Sequence, residues 1–435
     1  MIFWIRSGSL VDPVRCVVEK ADLVIEGDRI VEILPPDTFE GAGGEVRIID
    51  ATGKLVLPGF IDMHVHLREP GHEYKETIKT GSMAAVAGGF TALACMPNTV
   101  PPNDSRSVTE FIIKQARRAG LARIYPVAAI TVGQKGECLT EFGDLKDAGA
   151  VAVSDDGLPV TKSEVMRRAM EYARYHGLLV ISHPEDVSLS AGGVMHEGLV
   201  ATQMGLQGIP SVAEDIMVFR EISLARLNGC PVHIAHVSTA GSVELVRRAK
   251  EDGLPVTAET APHYFSLDHS SVVGYNTNAK VNPPLRSPKD VEAVKKGLTD
   301  GVIDVIATDH APHSSLEKDV EFDKAAFGMI GLETALPLTL ELVRAGILDL
   351  PEAIAKLTCN AASILGISGG LLEKDGQADI TLIDPDFEFE FKEENIFSRS
   401  KNSPFIGKRL KGITEMTMIG GKIVFERDVQ NPGRR

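Results

Sequence analysis

The amino-acid sequence predicts an α/β protein: a (β/α)8 TIM-type barrel with a small β-sandwich domain built from both termini. Three observations lead to this prediction. Short β-rich runs alternate with amphipathic helical stretches through the middle of the chain, both ends carry alternating strand patterns, and the chain has 435 residues. That length accommodates a large barrel with one further domain. We therefore assign residues 1–55 and 365–435 to a composite β domain and residues 56–364 to the barrel.

The two ends of the chain resemble each other more than either resembles the middle. Near the N-terminus, "DLVIEGDRIVEIL" alternates apolar and polar residues on both sides of the turn signal Gly27-Asp28. Near the C-terminus, "MTMIGGKIVFER" has the pattern of a hairpin that turns at Gly420-Gly421. Alternation with a period of two residues is typical of half-buried strands, and glycine pairs favour tight hairpin turns. Strands from both ends are thus expected to assemble into one domain.

The middle of the chain contains the β-rich runs expected of a barrel. In chain order they are "FIDMHVH", "FTALACMPN", "RIYPVAAI", "AVAVSDD", "LLVISHPED", "VHIAHVS", "PVTAETAPH" and "VIDVIATDH". Helical stretches such as "SVTEFIIKQARRAG" and "TKSEVMRRAMEYARYHG" lie between them and end in glycine, a common helix C-cap. The competing doubly wound sheet would place a glycine-rich phosphate turn after its first strand, and no such turn follows "FIDMHVH".

Composition and charge exclude several classes of function. The formal net charge of −15 repels phosphate backbones, so we expect no nucleic-acid partner. The N-terminus reaches Arg6 too early for a signal peptide, and no apolar run is long enough to span a bilayer, so we expect no membrane partner. The five cysteines are widely spaced without a CxxC pair, which indicates reduced thiols and a cytoplasmic location.

The first barrel run ends in "HVH", with His64 and His66 two residues apart. Residues at i and i+2 of a strand share a face, so both imidazoles are expected to point toward the barrel axis. The carboxyl ends of barrel strands carry the active sites of such enzymes. On its own, the pair would be read equally well as polar residues at a strand exit.

Four later runs also end in side chains that bind metals or transfer protons. They contribute Asp155 and Asp156, His183, His236, and Asp309. Imidazole and carboxylate ligands suit Zn²⁺ and similar ions. Their number exceeds one tetrahedral site with an open position, so we predict two ions that share a bridging carboxylate, about 3.5–4 Å apart.

Two choices stay open at this level. Strand alternation places Asp155 and Asp156 on opposite faces, and spacing does not decide which of them bridges the ions. His233 and His236 are three residues apart, so only one of them can line the barrel.

The motifs "GFIDMHVHLREPG", "MPNTVPPND", "SDDG", "ISHPED", "HIAHVST", "VNPPLR" and "ATDHAPH" occur in this order. With them the chain resembles the amidohydrolase superfamily and, more narrowly, the bacterial type I dihydroorotases. The resemblance covers nearly the whole chain. It implies two Zn²⁺ ions: His64, His66 and Asp309 on the first, His183 and His236 on the second, and Asp156 with a hydroxide as the bridge.

The resemblance also implies which residues contact the substrate. The implied substrate-binding residues are His66, Arg68, Asn98, Asn282, His313, Phe327 and Gly328. Arg68, Asn98 and His313 would hold the substrate carboxylate, for which an arginine fork is well suited. Asn282 would contact the ring, and the backbone at Phe327 and Gly328 would complete the site. In an arbitrary sequence, we would interpret an arginine such as Arg68 as part of a surface ion pair and a phenylalanine such as Phe327 as part of the core.

The implied activity is the reversible hydrolysis of the cyclic amide of (S)-dihydroorotate to N-carbamoyl-L-aspartate, a step of de novo pyrimidine (UMP) biosynthesis, with Asp309 as the catalytic proton shuttle. A hydantoinase or allantoinase is one alternative, but many relatives of that kind bridge their metals with a carboxylated lysine on the fourth strand, whereas Lys146 lies before that strand here. A non-catalytic subunit that scaffolds aspartate transcarbamoylase is another. Because every ligand position is filled, we favour catalysis, with a homodimer and a complex with that enzyme as possible assemblies.

Overall fold

The computed structural model describes residues 1–41 and 45–428. Strands from both ends of the chain form one mixed sheet, in the order β18-β17-β16-β5-β1-β2-β3, with β4 paired to β1. These strands are β1 (Ile2–Asp12), β2 (Val17–Glu26), β3 (Arg29–Leu34), β4 (Val46–Asp50), β5 (Leu55–Pro58), β16 (Ile380–Glu390), β17 (Arg409–Ile419) and β18 (Lys422–Glu426). β16 pairs antiparallel with β5, which joins the two ends of the chain.

The predicted hairpin at Gly420-Gly421 is confirmed, since β17 and β18 pair antiparallel on either side of it. The apolar face of this sheet buries a core of its own, in which Leu23 from β2 packs with Ile380 and Met418 from the C-terminal strands. Burial of such side chains from distant parts of the chain stabilises the sheet. The domain boundaries between residues 55 and 56 and between residues 364 and 365 remain a prediction.

The middle of the chain forms the predicted barrel. Its eight strands are parallel neighbours in chain order. They are β6 (Phe60–Val65), β7 (Phe90–Cys95), β8 (Arg123–Ala128), β9 (Ala152–Val153), β10 (Leu179–Ser182), β13 (Val232–Ile234), β14 (Val256–Thr260) and β15 (Val305–Ile306). A parallel bridge between Val65 and His310 links the two ends of this sheet. β11 (Met195–His196) and β12 (Gly208–Ile209) form a separate small pair.

The helices surround the barrel, form part of the connections between its strands, and cover the end opposite the carboxyl ends of the strands. They are α1 (Ile78–Gly88), α2 (Arg106–Ala119), α3 (Phe142–Ala148), α4 (Ser163–His176), α5 (Val187–Ser190), α6 (Leu199–Met204), α7 (Val212–Asn228), α8 (Ala240–Glu251), α9 (Pro262–Ser266), α10 (Pro288–Thr299), α11 (Ser315–Lys318), α12 (Ala335–Arg344), α13 (Leu350–Leu357) and α14 (Cys359–Leu365). The glycine C-caps predicted from sequence are confirmed at Gly120 and Gly177, both left-handed. Among the described residues, no helix combines the length and apolar character needed to cross a bilayer.

The first barrel strand does not alternate regularly. Ile61 and Met63 pack in the cluster inside the barrel, whereas Val65 and Leu67 pack in the outer cluster that includes the helices. Strict alternation would place all four on one face. The register of β6 against β7 shifts between Asp62 and Val65, so the two faces exchange there. This exchange brings the side chains that alternate with Val65 and Leu67 to the barrel interior.

Candidate active site

A cluster of imidazoles and carboxylates lies at the carboxyl end of the barrel. Its members come from five barrel strands, two from the end of β6 and one each from beyond β9, β10, β13 and β15, and all have side chains no more than about a tenth exposed. The members are His64, His66, Asp156, His183, His236 and Asp309. The structure therefore brings together all six residues that the sequence analysis proposed as metal ligands.

Asp156 lies at the centre of this cluster. Its Oδ1 is 3.4 Å from His64 Nε2, 3.4 Å from His183 Nδ1 and 3.5 Å from His236 Nε2. Its Oδ2 is 3.4 Å from His66 Nε2. One carboxylate thus faces imidazoles from both halves of the cluster, which is the arrangement required of a bridging ligand.

The donor set fits divalent cations. Two groups of possible ligands share Asp156: one contains His64 and His66, the other His183 and His236, and the ligand atoms in each lie within 4.8 Å of one another. His64 Nε2 and Asp156 Oδ1 are buried without a hydrogen-bond partner. Buried polar atoms are normally satisfied, so these two atoms indicate that the cluster binds a further group. A set of imidazole nitrogens and carboxylate oxygens is a suitable group of ligands for a metal ion.

Electrostatics inside the cluster favour the ionised carboxylate. Burial alone would raise the pKa of Asp156, but His64, His183 and His236 outweigh it and hold this pKa well below its ordinary value. Burial likewise opposes protonation of His64, yet Asp156 and Glu259 raise the pKa of His64 well above the ordinary value. The site therefore concentrates negative carboxylate charge. Imidazolium groups can neutralise this charge, and a bound cation can take their place.

The neighbouring carboxylate has a different environment. Asp155 Oδ1 accepts hydrogen bonds from the backbone N–H groups of Ile130, at 2.8 Å, and Thr131, at 3.1 Å, while Oδ2 accepts one from the Thr131 hydroxyl. Burial raises the pKa of Asp155 to about 6 despite these hydrogen bonds. Asp155 thus anchors the loop after β8, and Asp156 is the residue that faces the histidines. Likewise, His236 faces the cluster, and His233 lies 2.8 Å from Thr257 Oγ1.

Two further carboxylates, which the sequence analysis did not predict, contact the imidazoles. Glu259 Oε1, at the end of β14, is 2.6 Å from His64 Nδ1, and its Oε2 is 3.3 Å from His233 Nε2. Glu185 Oε2 is 2.9 Å from His183 Nε2. Such partners orient metal-binding histidines. The sequence signals were a glutamate at the end of the seventh run, "TAET", and a glutamate two residues after a predicted ligand, "HPE".

A cavity of about 250 Å³ opens beside the cluster. Its lining contains all the residues proposed to contact substrate: His66, Arg68, Asn98, Asn282, His313, Phe327 and Gly328. The volume suits a small ligand and lies just below the usual range for drug-sized molecules. The structure therefore places the proposed metal ligands and the proposed substrate contacts in one site.

Arg68 is the cation of this cavity. Its Nε donates to the backbone oxygen of Pro312 at 3.1 Å, and Nη2 lies 3.1 Å from His313 Nε2. Burial lowers the pKa of Arg68 to about 10, so the guanidinium stays charged at neutral pH. Nearby, Asn98 Oδ1 is 2.8 Å from His66 Nδ1. This side of the cavity combines a buried positive charge with polar groups, which suits a carboxylate.

Three site residues have left-handed backbone conformations. The φ angles are +62° at Arg68, +37° at His236 and +47° at Asp309. Each such conformation costs a non-glycine residue about 1–3 kcal/mol and persists only where the surrounding structure enforces it. Such strain clusters at functional sites, and here it occurs where the chain leaves three barrel strands.

The fold and the site together define a (β/α)8 protein with imidazole and carboxylate groups at the strand ends, the architecture of the amidohydrolase superfamily. Comparison with known proteins narrows this class. A family model described as "Dihydro-orotase-like" matches residues 53–242. Dihydroorotase from Geobacter metallireducens is 53% identical, over 97% of this chain and 99% of the relative. Dihydroorotase from Pelotomaculum thermopropionicum is 54% identical, over 97% of this chain and 98% of the relative. The chain belongs to the dihydroorotase family.

Solved structures with the same architecture include cyclic amide hydrolases with other names. L-hydantoinase (dihydropyrimidinase) from Arthrobacter aurescens has a TM-score of 0.87 at 25% identity, covering 98% of this chain and 96% of that one. Dihydropyrimidinase from Brevibacillus agri has a TM-score of 0.83 at 23% identity, with 98% and 95% covered, which shows the shared fold.

Proposed function

We propose that this chain catalyses the reversible hydrolysis of (S)-dihydroorotate to N-carbamoyl-L-aspartate, a step of de novo pyrimidine biosynthesis. One observation of the site carries this choice of substrate: a buried guanidinium, Arg68, lies in the same cavity as the imidazole and carboxylate cluster. Dihydroorotate presents a ring amide and a carboxylate, so it matches both features. Hydantoin and allantoin lack that carboxylate and would leave the buried charge without a partner.

The proposed metal centre contains two Zn²⁺ ions. His64, His66 and Asp309 would hold the first, His183 and His236 the second, and Asp156 would bridge them. Such ions would polarise the amide carbonyl and lower the pKa of bound water to about 7, so that a nucleophile would be available at neutral pH. Asp156 supports this proposal because both possible ligand groups share it.

The remaining steps fall to side chains of this chain. Arg68, Asn98 and His313 bind the substrate carboxylate and orient the ring, which makes the attack effectively intramolecular. Asn282 and the backbone at Phe327 and Gly328 hold the ring. Asp309 accepts the proton of the attacking water and then donates it to the leaving amide nitrogen, and in the reverse direction it performs the same transfers in the opposite order.

An assay with dihydroorotate, hydantoin and allantoin on metal-loaded and chelated protein tests this function, with metal content measured in parallel. We expect turnover of dihydroorotate alone, its loss on chelation and its recovery with Zn²⁺. Turnover of hydantoin or allantoin instead would establish the alternative hydrolase. Metal binding without turnover of any of the three would favour the scaffolding subunit.

For assembly, we propose a homodimer and a complex with aspartate transcarbamoylase. The helix α7 supports a protein partner, because Val212, Ile216, Phe219 and Leu227 expose between 48% and 63% of their surface along one side of it. Size-exclusion chromatography of the chain alone and with aspartate transcarbamoylase tests both assemblies. The Phe219→Glu variant, which places a charge on that surface, is expected to dissociate whichever complex uses it.

A further inference from the structure

Glu185 contacts a proposed metal ligand and a proposed substrate contact with a single oxygen atom. Its Oε2 is 2.9 Å from His183 Nε2, and Asn282 Nδ2 donates a hydrogen bond to the same Oε2 at 2.9 Å. His183 follows β10, whereas Asn282 comes from the long loop that precedes α10, almost a hundred residues later. One carboxylate therefore joins two parts of the site that lie far apart in the chain.

The chemistry of a carboxylate determines the orientation of both partners. An ionised carboxylate only accepts hydrogen bonds, so Nε2 of His183 carries a proton, and in the neutral imidazole Nδ1 then keeps its lone pair. Nδ1 is the nitrogen that faces the cluster, 2.7 Å from His236 Nε2 and 3.4 Å from Asp156 Oδ1. Without a carboxylate at this place, the imidazole could take the other tautomer, whose Nδ1–H is unable to bind a cation.

Glu185 also sets the orientation of the Asn282 side chain. Its amide has a donating end, Nδ2, and an accepting end, Oδ1. Because Glu185 takes the donating end, Oδ1 is left as the accepting atom of a side chain that lines the cavity. An exposed acceptor selects a ligand with an N–H group, such as the ring N–H of a cyclic amide.

We propose that Glu185 is a positioning residue that sets the tautomer of His183 and the amide orientation of Asn282, and thereby couples metal affinity to substrate affinity. The proposal rests on the proposed function for its substrate half only. The backbone around Glu185 is firmly held, since Asp186 N donates to Ala213 O at 2.8 Å and the Asp186 side chain caps α5. In the described contacts the Asp186 carboxylate accepts from Ser188 and not from either partner of Glu185, and asparagine also caps helices, so Asp186→Asn provides a matched control one residue away.

The experiment compares Glu185→Ala, Glu185→Gln and Asp186→Asn with the wild type as full-length protein. Zn²⁺ affinity is measured by competition with a chromogenic chelator in the absence of substrate, and KM and kcat are measured with dihydroorotate. For Glu185→Ala we expect Zn²⁺ binding weaker by about 10–100-fold, the range for loss of a group that orients a ligand. We also expect KM to rise by about tenfold, as for loss of a charge-assisted contact. Asp186→Asn should leave both quantities unchanged.

A double-mutant cycle with Asn282→Ala separates coupling from general damage. If Glu185 acts through Asn282, then adding Glu185→Ala to Asn282→Ala weakens Zn²⁺ binding as before but raises KM no further. Multiplicative effects on KM would overturn the coupling, and so would wild-type Zn²⁺ affinity in Glu185→Ala. Glu185→Gln keeps the side-chain volume and replaces the alanine variant if that one does not fold.

The two proposals fail in different ways. Absence of dihydroorotate turnover in the wild type would overturn the proposed function, while the Zn²⁺ affinities of the same variants would still decide whether Glu185 positions His183.

Discussion

The metal-type cluster and the substrate-contact loops adjoin each other at one end of the barrel, but they are held in place differently. The cluster is carried at or directly beyond the ends of buried strands, and further side chains such as Glu259 restrain its imidazoles. The contacts at Asn282, His313, Phe327 and Gly328 lie on long connections after β14 and β15. Strand pairing positions the first region, whereas the second depends on polar contacts between loops.

Two buried lysines provide many of those contacts. Lys280 Nζ donates to the backbone oxygens of Phe322, at 2.7 Å, and Asp323, at 3.0 Å. Lys318 Nζ donates to those of Thr277, at 2.8 Å, and Ala326, at 2.7 Å. Loop carbonyls that cannot pair in a sheet are thus satisfied by ammonium groups. One site is thus assembled by two physical means: closure of the barrel sheet holds the cluster, and buried lysines hold the loops.

The largest expected effect is the loss of the proton shuttle. Asp309→Asn keeps the shape of the side chain but removes its basicity, so kcat should fall by about 10²–10⁴-fold. Metal content should stay largely intact, because five other ligands remain on the strand ends. Steady-state kinetics together with metal analysis test this prediction. Asp319→Asn, on an exposed residue of the same connection, is the control. Wild-type turnover in Asp309→Asn would exclude the assigned role.

Next in size is the effect of removing a restraint from the cluster. Glu259→Gln replaces the acceptor 2.6 Å from His64 Nδ1 by a neutral amide of equal size. We expect metal affinity to fall by about 10–100-fold, since the imidazole loses the negative charge that restrains it and raises its basicity. Chelator competition measures the affinity. An unchanged value would mean that the barrel alone suffices to orient the ligands, and the contrast between the two regions would then be sharper.

A smaller effect is expected where the loops meet the cluster. Arg68→Lys keeps the positive charge but loses the planar fork, so one of two hydrogen bonds to a carboxylate is lost. KM for dihydroorotate should rise by about tenfold, equivalent to about 1.4 kcal/mol. Initial rates over a range of substrate concentrations give this value. If KM does not change, the substrate carboxylate is bound elsewhere.

The smallest effect on activity is expected from the loops themselves. Lys318→Met removes the Nζ donor of the Ala326 carbonyl and one of two donors of the Thr277 carbonyl, which still accepts from the Lys280 N–H. Unsatisfied buried groups should lower the free energy of unfolding by about 1–3 kcal/mol, and KM should rise only a few-fold while metal affinity stays constant. Chemical denaturation and chelator competition measure the two effects. Lys324→Met, at an exposed position nearby, is the control. A drop in metal affinity would show that the two regions are not independent.

Much of the architecture follows from local pattern. The sequence predicts the order of the barrel strands, the assembly of both chain ends into one domain and the six residues of the cluster. Parallel barrel strands are buried on both faces and give distinct apolar runs, so their ends are recognisable in the sequence. Polar residues at several such ends must meet at one rim, because all the strands run in the same direction.

Other features depend on contacts between distant segments. Alternation left Asp155 and Asp156 equivalent, and only the family resemblance selected Asp156. The structure supplies the physical reason, because the backbone N–H groups of Ile130 and Thr131 hold Asp155 away from the histidines. The inward orientation of His64 requires the register shift of β6, and no pattern in the sequence indicates that shift. The orienting roles of Glu185 and Glu259 have no spacing rule that would reveal them.

The sequence by itself therefore determined the fold class, the family and the set of residues that the barrel rim collects, because periodicity and motif order are local properties. The tertiary structure decided which atom of each residue faces the centre, why Asp156 and not Asp155 faces the histidines, and how Glu185 connects His183 to Asn282. These are matters of hydrogen-bond direction between residues far apart in the chain. Such directions are set only when the folded chain brings each donor to its acceptor.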